Sequence, residues 1–137
     1  MQTNKKNRLV VDVNIWIRAL LSPKFHVRTR EFFKSENLLV VSKALFDELA
    51  DTVCKPHLAE KIVRANYEEF VSLLRRNAEH IDVRSVIEIC RDPKDNYLLA
   101  LSKDGKADYL ITSDNDLLVL KEFEKTKIVD MNEFESL

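Results

Sequence analysis

Asp92-Pro93-Lys94-Asp95-Asn96-Tyr97-Leu98-Leu99-Ala100-Leu101 opens a stretch that runs through Gly105 into Ala107-Asp108-Tyr109-Leu110-Ile111-Thr112-Ser113-Asp114-Asn115-Asp116. Asp followed by Pro starts a helix, with Asp as N-cap and Pro at the first helical position. Tyr97, Leu98, Ala100 and Leu101 give that helix a packing face, and Gly105 ends it. Residues 107–112 then read as a strand buried on both faces, and residues 114–116 as the polar turn after it. Carboxylates stand at both ends of this helix–strand unit.

The rest of the chain repeats the alternation. Leu9-Val10-Val11 is a short apolar run that reads as a central parallel strand stopping at or just after Asp12. Asn14 is the expected N-cap of a helix carrying Ile15, Trp16, Ala19 and Leu20, which Ser22-Pro23 ends. A basic segment, residues 24–30, leads into a second helix with Val27, Phe32 and Phe33. Residues 38–41 form the next strand, and Ser42 caps a helix over residues 43–54. Leu45, Leu49 and Val53 share one face of that helix, with Glu48 beside them. Residues 55–76 read as a helical insert: a short helix with Leu58, Ile62 and Val63, then a longer one capped by Asn66 and packed through Phe70, Val71, Leu73 and Leu74. Ile81-Asp82-Val83 and Ile128-Val129 are short strands, residues 117–120 pack back, and residues 131–137 form a last helix. No Asn-Gly or Asp-Gly joins two strands. The expected fold is therefore α/β: one domain over residues 1–137, with a central, mostly parallel sheet and helices on both faces.

Composition narrows the function. The chain has 137 residues, 45% apolar and 33% charged, enough for one domain with a real core. A net charge of -1 gives no global electrostatic case for nucleic acid, although an acidic metal site can mask basic surface elsewhere. Gly105 is the single glycine, which excludes a Rossmann dinucleotide loop and a P-loop, and no serine sits in a G-x-S-x-G elbow. Cys54 and Cys90 are far apart and read as reduced thiols. The polar N-terminal residues 1–8 are no signal peptide and no apolar run spans a bilayer, so a cytoplasmic protein with no membrane contact is expected.

Ligands of parallel α/β sheets bind beyond the carboxyl ends of the strands. Asp12 and Asp114 lie at two such ends, Glu48 on the helix after the second strand, and Asp95 on the first turn of the helix begun by Asp92. Taken singly, most of these have bland explanations. Asp92 is a cap, Asp95 suits a helix N-terminus, Glu48 suits a solvated face, and Asp114 and Asp116 suit a turn. Asp12 is the exception, because a carboxylate closing a buried strand needs a partner or a function. Gathered on one rim, the acids repel and their pKa values rise unless a cation intervenes. Mg²⁺ or Mn²⁺ fits such oxygen donors, and can activate a water and neutralise charge on a phosphodiester under attack. Asn14 and Ser113 are candidate supporting polar groups. Lys24, Arg28 and Arg30 are candidate phosphate contacts. His26, His57 and His80 have no ligand spacing, and Trp16 reads as core.

Five segments in order carry a family resemblance: Val10-Val11-Asp12-Val13-Asn14-Ile15-Trp16 with Leu20-Leu21-Ser22-Pro23; Val41-Ser42 with Leu45-Phe46-Asp47-Glu48-Leu49; Cys54-Lys55-Pro56-His57-Leu58; Arg91-Asp92-Pro93-Lys94-Asp95-Asn96; and residues 107–118. Together they resemble the PIN domain, specifically its compact prokaryotic toxin group. The resemblance implies a Mg²⁺- or Mn²⁺-dependent ribonuclease neutralised by a cognate antitoxin protein, with a homodimer as a further implied partner. Carried over, the catalytic and metal residues are Asp12, Glu48, Asp95 and Asp114, with Asp116 as an additional ligand. Val13, Ser113 and Phe25 depart from the family pattern without removing a carboxylate. Two other readings compete. A phospho-receiver-like module needs adjacent acids at the first strand, a phospho-acceptor Asp after the middle strand and a late lysine, and Asp12-Val13-Asn14 and Val41-Ser42 do not supply these. An interaction protein with little turnover would not need the intact carboxylate set.

Overall fold

Leu9, Val10 and Val11 are each no more than 2% exposed. Successive strand residues point to opposite faces, so burial of all three means both faces of this strand are covered. The computed structural model describes residues 5–90 and 92–137. Residues 1–4 of the polar N-terminal segment, and Arg91 of the Arg91–Asn96 motif, lie outside the described residues.

Six strands are present among the described residues: β1 (Asn7–Val11), β2 (Asn37–Val41), β3 (Glu79–His80), β4 (Tyr109–Ile111), β5 (Glu122–Phe123) and β6 (Thr126–Val129). They form one sheet in the order β3-β2-β1-β4-β6-β5. All pairs are parallel except β5 with β6. The fold is α/β, with a mostly parallel sheet flanked by helices, as the alternation predicts. From β1 the chain builds outward to β2 and β3, then returns to place β4 on the other side of β1. The β1–β4 boundary is therefore the point where strand order reverses, the place where such sheets open a crevice. Val11 pairs with Ile111 and Ile111 with Val129, so β1, β4 and β6 end level with one another.

The helices are α1 (Val13–Leu21), α2 (Phe25–Arg30), α3 (Lys43–Val53), α4 (Pro56–Ala59), α5 (Arg64–Asn77), α6 (Asn96–Asp104), α7 (Asn115–Leu118) and α8 (Met131–Glu135). Single 3₁₀ turns occupy Glu31–Phe33 and Pro93–Asp95. Trp16 is buried, as expected, between Phe32 and Phe70, with ring centroids 4.7 and 4.6 Å away. Among the described residues no helix is long and apolar enough to cross a membrane.

Several local expectations shift. Asp12, not Asn14, is the N-cap of α1; Asn14 already lies inside the helix with its side chain exposed. Asn66 is likewise internal, because α5 starts at Arg64 and is braced at its first turn by the Arg64–Glu68 pair at 2.9 Å. Val27 and Val63 are more than half exposed and contribute no core. The strand expected at residues 81–83 lies at Glu79–His80 instead, since these residues reach the edge of β2 first. The β5–β6 hairpin was not legible. Its tight loop sets Glu124 at φ 55, a left-handed position where sequence signals favour Gly or Asn.

Gly105 does end α6, but for a reason other than backbone freedom. Its own φ is -82°, and Lys106 takes the left-handed position at φ 52. A Cβ on Gly105 would lie 2.5 Å from Val40 Cγ1 and 2.8 Å from the Leu101 carbonyl. Glycine is required here so that α6 can approach β2.

Candidate metal centre

The switch point is built from backbone pairing first. The Asp12 amide donates to the Ile111 carbonyl at 2.9 Å, and the Thr112 amide to the Val129 carbonyl at 3.0 Å. These bonds bring the residues just beyond β1 and β4 side by side. The Thr112 hydroxyl then donates to Asp12 Oδ2 at 2.8 Å and accepts from the Asp114 amide at 3.0 Å. One fully buried side chain thus fixes both the Asp12 carboxylate and the turn that carries Asp114. Asp114 caps α7, its Oδ1 accepting from the Asp116 amide at 2.9 Å, so Asp116 sits on the first turn of a helix rather than in an open turn.

Asp95 arrives from the other side, on the 3₁₀ turn that leads into α6. Asp92 caps that turn as expected, accepting from the Lys94 amide at 3.0 Å. The preceding segment is tied down by Cys90. Its amide donates to Asn96 Oδ1 at 2.9 Å, and its thiol lies 4.0 Å from Asp95 Oδ2 and 3.8 Å from the Asp116 carbonyl. Cys54 and Cys90 are both free thiols.

Carboxylate oxygens of Asp95, Asp114 and Asp116 all lie within 4.8 Å of one another. Asp95 is pushed up to about 7, by burial first, then by a hydrogen bond with Asp114 and the negative charges of Asp114, Asp12 and Asp92. Asp12 is also raised, by burial above all and by the charge of Asp114, while the Thr112 bond pulls the other way. Beneath them Tyr97 is raised far above the usual phenol range, by burial and then by Asp12, Glu48 and Asp95. The phenol thus lies within the field of three carboxylates from three segments.

The predicted residues are brought together unequally. Asp95, Asp114 and Asp116 form the tight group, and Asp12 adjoins it through Thr112 and through charge. Glu48 is exposed on α3, its Oε1 3.4 Å from the Thr52 hydroxyl, and lies outside the tight group, though its charge acts on Tyr97. Asn14 contributes its amide, 3.5 Å from Asp12 Oδ1, rather than its side chain. Ser113 makes no side-chain hydrogen bond to these acids among the described residues; Thr112 beside it does. Lys24 and Arg28 line a groove between α1, α2 and α8, whereas Arg30 lines a separate cavity with Lys6 and His26. Thr112, Cys90 and Tyr97 escaped the sequence reading. Only Thr112 carried a usable signal, a hydroxyl two residues before an acid at a strand end.

The donor set suits a hard divalent cation. Octahedral Mg²⁺ holds oxygens at about 2 Å, hence at most about 4 Å apart across the ion, and a small inward movement of three carboxylates reaches that. The raised carboxyl of Asp95, crowded by Asp114, Asp12 and Asp92, marks the place of a missing positive charge.

Fold and rim together define a parallel α/β domain with carboxylates gathered at its switch point. The sequence model of the PIN domain matches residues 8–116, and the chain belongs to the PIN-domain family. Proteins of this family are generally nucleases, hydrolases of phosphodiester bonds. No curated protein matches the sequence.

Proposed function

We propose that this protein is an endoribonuclease that requires Mg²⁺ or Mn²⁺ and serves as the toxin of a toxin–antitoxin pair. In this reading residues 1–137 act as one cytoplasmic domain, with RNA as substrate, a cognate antitoxin protein as partner and a homodimer as the working assembly. Asp12, Glu48, Asp95 and Asp114 carry the reaction, and Asp116 joins them as a ligand.

The observation that supports it is the group of Asp95, Asp114 and Asp116 oxygens within 4.8 Å, with buried Asp12 alongside. When bound, the cation supplies Lewis-acid activation of a water and charge neutralisation at the scissile phosphate. Asp95, its carboxyl pushed up by burial and acidic neighbours, would lose its proton on loading. Asp12 is held at Oδ2 by the Thr112 hydroxyl and at Oδ1 by the Asn14 amide, which orients its carboxylate beside the group. Glu48 or Asp95 takes the proton of the attacking water. The new phosphorus–oxygen bond forms as the bond to the 3′ oxygen breaks, and the leaving oxygen takes a proton from solvent. RNA cleavage in Mg²⁺ or Mn²⁺, lost in EDTA and lost in a folded Asp12→Asn variant, is the expected result. Undiminished cleavage by that variant overturns it.

A further inference from the structure

The exposed face of α1 presents Asn14 and Arg18, one helical turn apart and so about 6 Å along the axis, and the half-buried Ser22 caps the far end of the helix. Asn14 stands beside Asp12, and Ser22 accepts from Arg28 Nε at 3.2 Å, which fixes that guanidinium at the far end of α1. Arg18, Lys24 and Arg28 line one wall of a groove of about 670 Å³ between α1, α2 and α8. One end of the groove lies toward the carboxyl ends of β1 and β6, without any of the clustered acids in its lining. Ile15, three residues from Asp12, lines it, as does Met131, two residues beyond the end of β6.

Charge says what the groove takes. Among the described residues Arg18, Lys24 and Arg28 are in no ion pair, whereas Lys34 and Glu31 at the groove neutralise one another at 2.9 Å. Cations outnumber acids on the groove lining, Arg18, Lys24, Arg28 and Lys34 against Glu31 and Glu135, a local exception on a chain of net charge -1. We infer that the groove between α1, α2 and α8 is the track for the sugar–phosphate backbone of single-stranded RNA leading away from the acidic rim, with Arg18, Lys24 and Arg28 contacting successive phosphates. The inference rests on the nuclease reading above and refines it: Arg18 joins the contacts, and Arg30, in the other cavity, leaves them. Phosphates would neutralise Arg18, Lys24 and Arg28, which are in no ion pair among the described residues.

The test is binding of a short fluorescein-labelled single-stranded RNA to the full chain, followed by anisotropy with Ca²⁺ at several KCl concentrations. Arg18→Gln, Lys24→Gln and Arg28→Gln each weaken binding by about 3-fold or more, and each lowers the slope of log affinity against log salt by about 0.7, the value for one phosphate on a single strand. Arg30→Gln changes neither. A triple variant that keeps its circular dichroism and binds RNA like the wild type overturns the track and leaves the groove to a protein partner; an equal loss in Arg30→Gln also overturns it. Cleavage by the wild type is scored separately. Cleavage with an unaffected triple variant removes the track and keeps the nuclease. RNA binding that depends on these residues without cleavage in Mg²⁺ or Mn²⁺ removes the nuclease and keeps the track.

Discussion

Thr112 donates its hydroxyl hydrogen to Asp12 Oδ2 at 2.8 Å, across 100 residues of sequence, at the seam where β1 meets β4. Asp12 is 5% exposed, so its carboxylate depends on this donor. Thr112→Val keeps the shape and removes the hydroxyl, leaving Asp12 without its donor and the Asp114 amide without its acceptor. A loss of about 1–3 kcal/mol in denaturant unfolding is expected, together with weaker Mn²⁺ binding. Thr112→Ser stays within about 1 kcal/mol and keeps the metal affinity. Equal behaviour of the two variants would show that the hydroxyl is not what positions the acids.

The acidic group also sets the pH dependence of the metal-free protein. Asp95 titrates at about 7 when folded, against about 3.9 when unfolded. Between those values the folded state binds more protons, so stability falls as pH rises and levels off above about 7. In EDTA the melting temperature should drop between about pH 4 and 7, and millimolar Mn²⁺ should restore it at the upper end. Asp95→Asn flattens the pH curve and reduces the Mn²⁺ shift. A wild-type melting temperature that ignores both pH and Mn²⁺ would count against any metal role for these residues.

Gly105 tests the contact between α6 and β2. The added methyl of Gly105→Ala meets Val40 Cγ1 and a backbone carbonyl, neither the free end of a flexible side chain. Overpacking of this kind costs about 1–3 kcal/mol. Because α6 runs on directly from the turn that carries Asp95, metal affinity should fall with stability. A neutral substitution would mean the two elements separate more readily than the packing implies.

Asp104 anchors the extended segment before the site. It accepts from the amides of Arg84 at 2.6 Å and Ser85 at 2.8 Å and from the Ser85 hydroxyl, and these bonds hold its carboxyl below the usual range. A depressed folded value means the contribution is complete above the unfolded pKa, about 3.9, and disappears as pH falls through the folded one. Asp104→Ala should speed hydrogen exchange at the Arg84 and Ser85 amides near neutral pH. The variant and wild type should converge in strong acid. Unchanged protection at neutral pH would show that other contacts hold the segment.

The sequence by itself determined the alternation of helix and strand, and so the parallel sheet. Continuous apolar runs such as Leu9-Val10-Val11 can be buried only between covered faces, and caps such as Ser42 and Asp92 act within a few residues of themselves. It also marked Asp12, because a charge closing a buried strand is anomalous wherever the strand lies. Tertiary structure decided what depends on neighbours distant in the chain. The β1–β4 pairing put Thr112, rather than Ser113 or Asn14, in contact with Asp12. The placement of the Pro93–Asp95 turn against α7 grouped Asp95, Asp114 and Asp116 while leaving Glu48 at the margin. The opening stretch from Asp92 to Asp116 supplied three of the acids, yet their separation was set by the strand order, since carboxylates repel and only the surrounding fold holds them together.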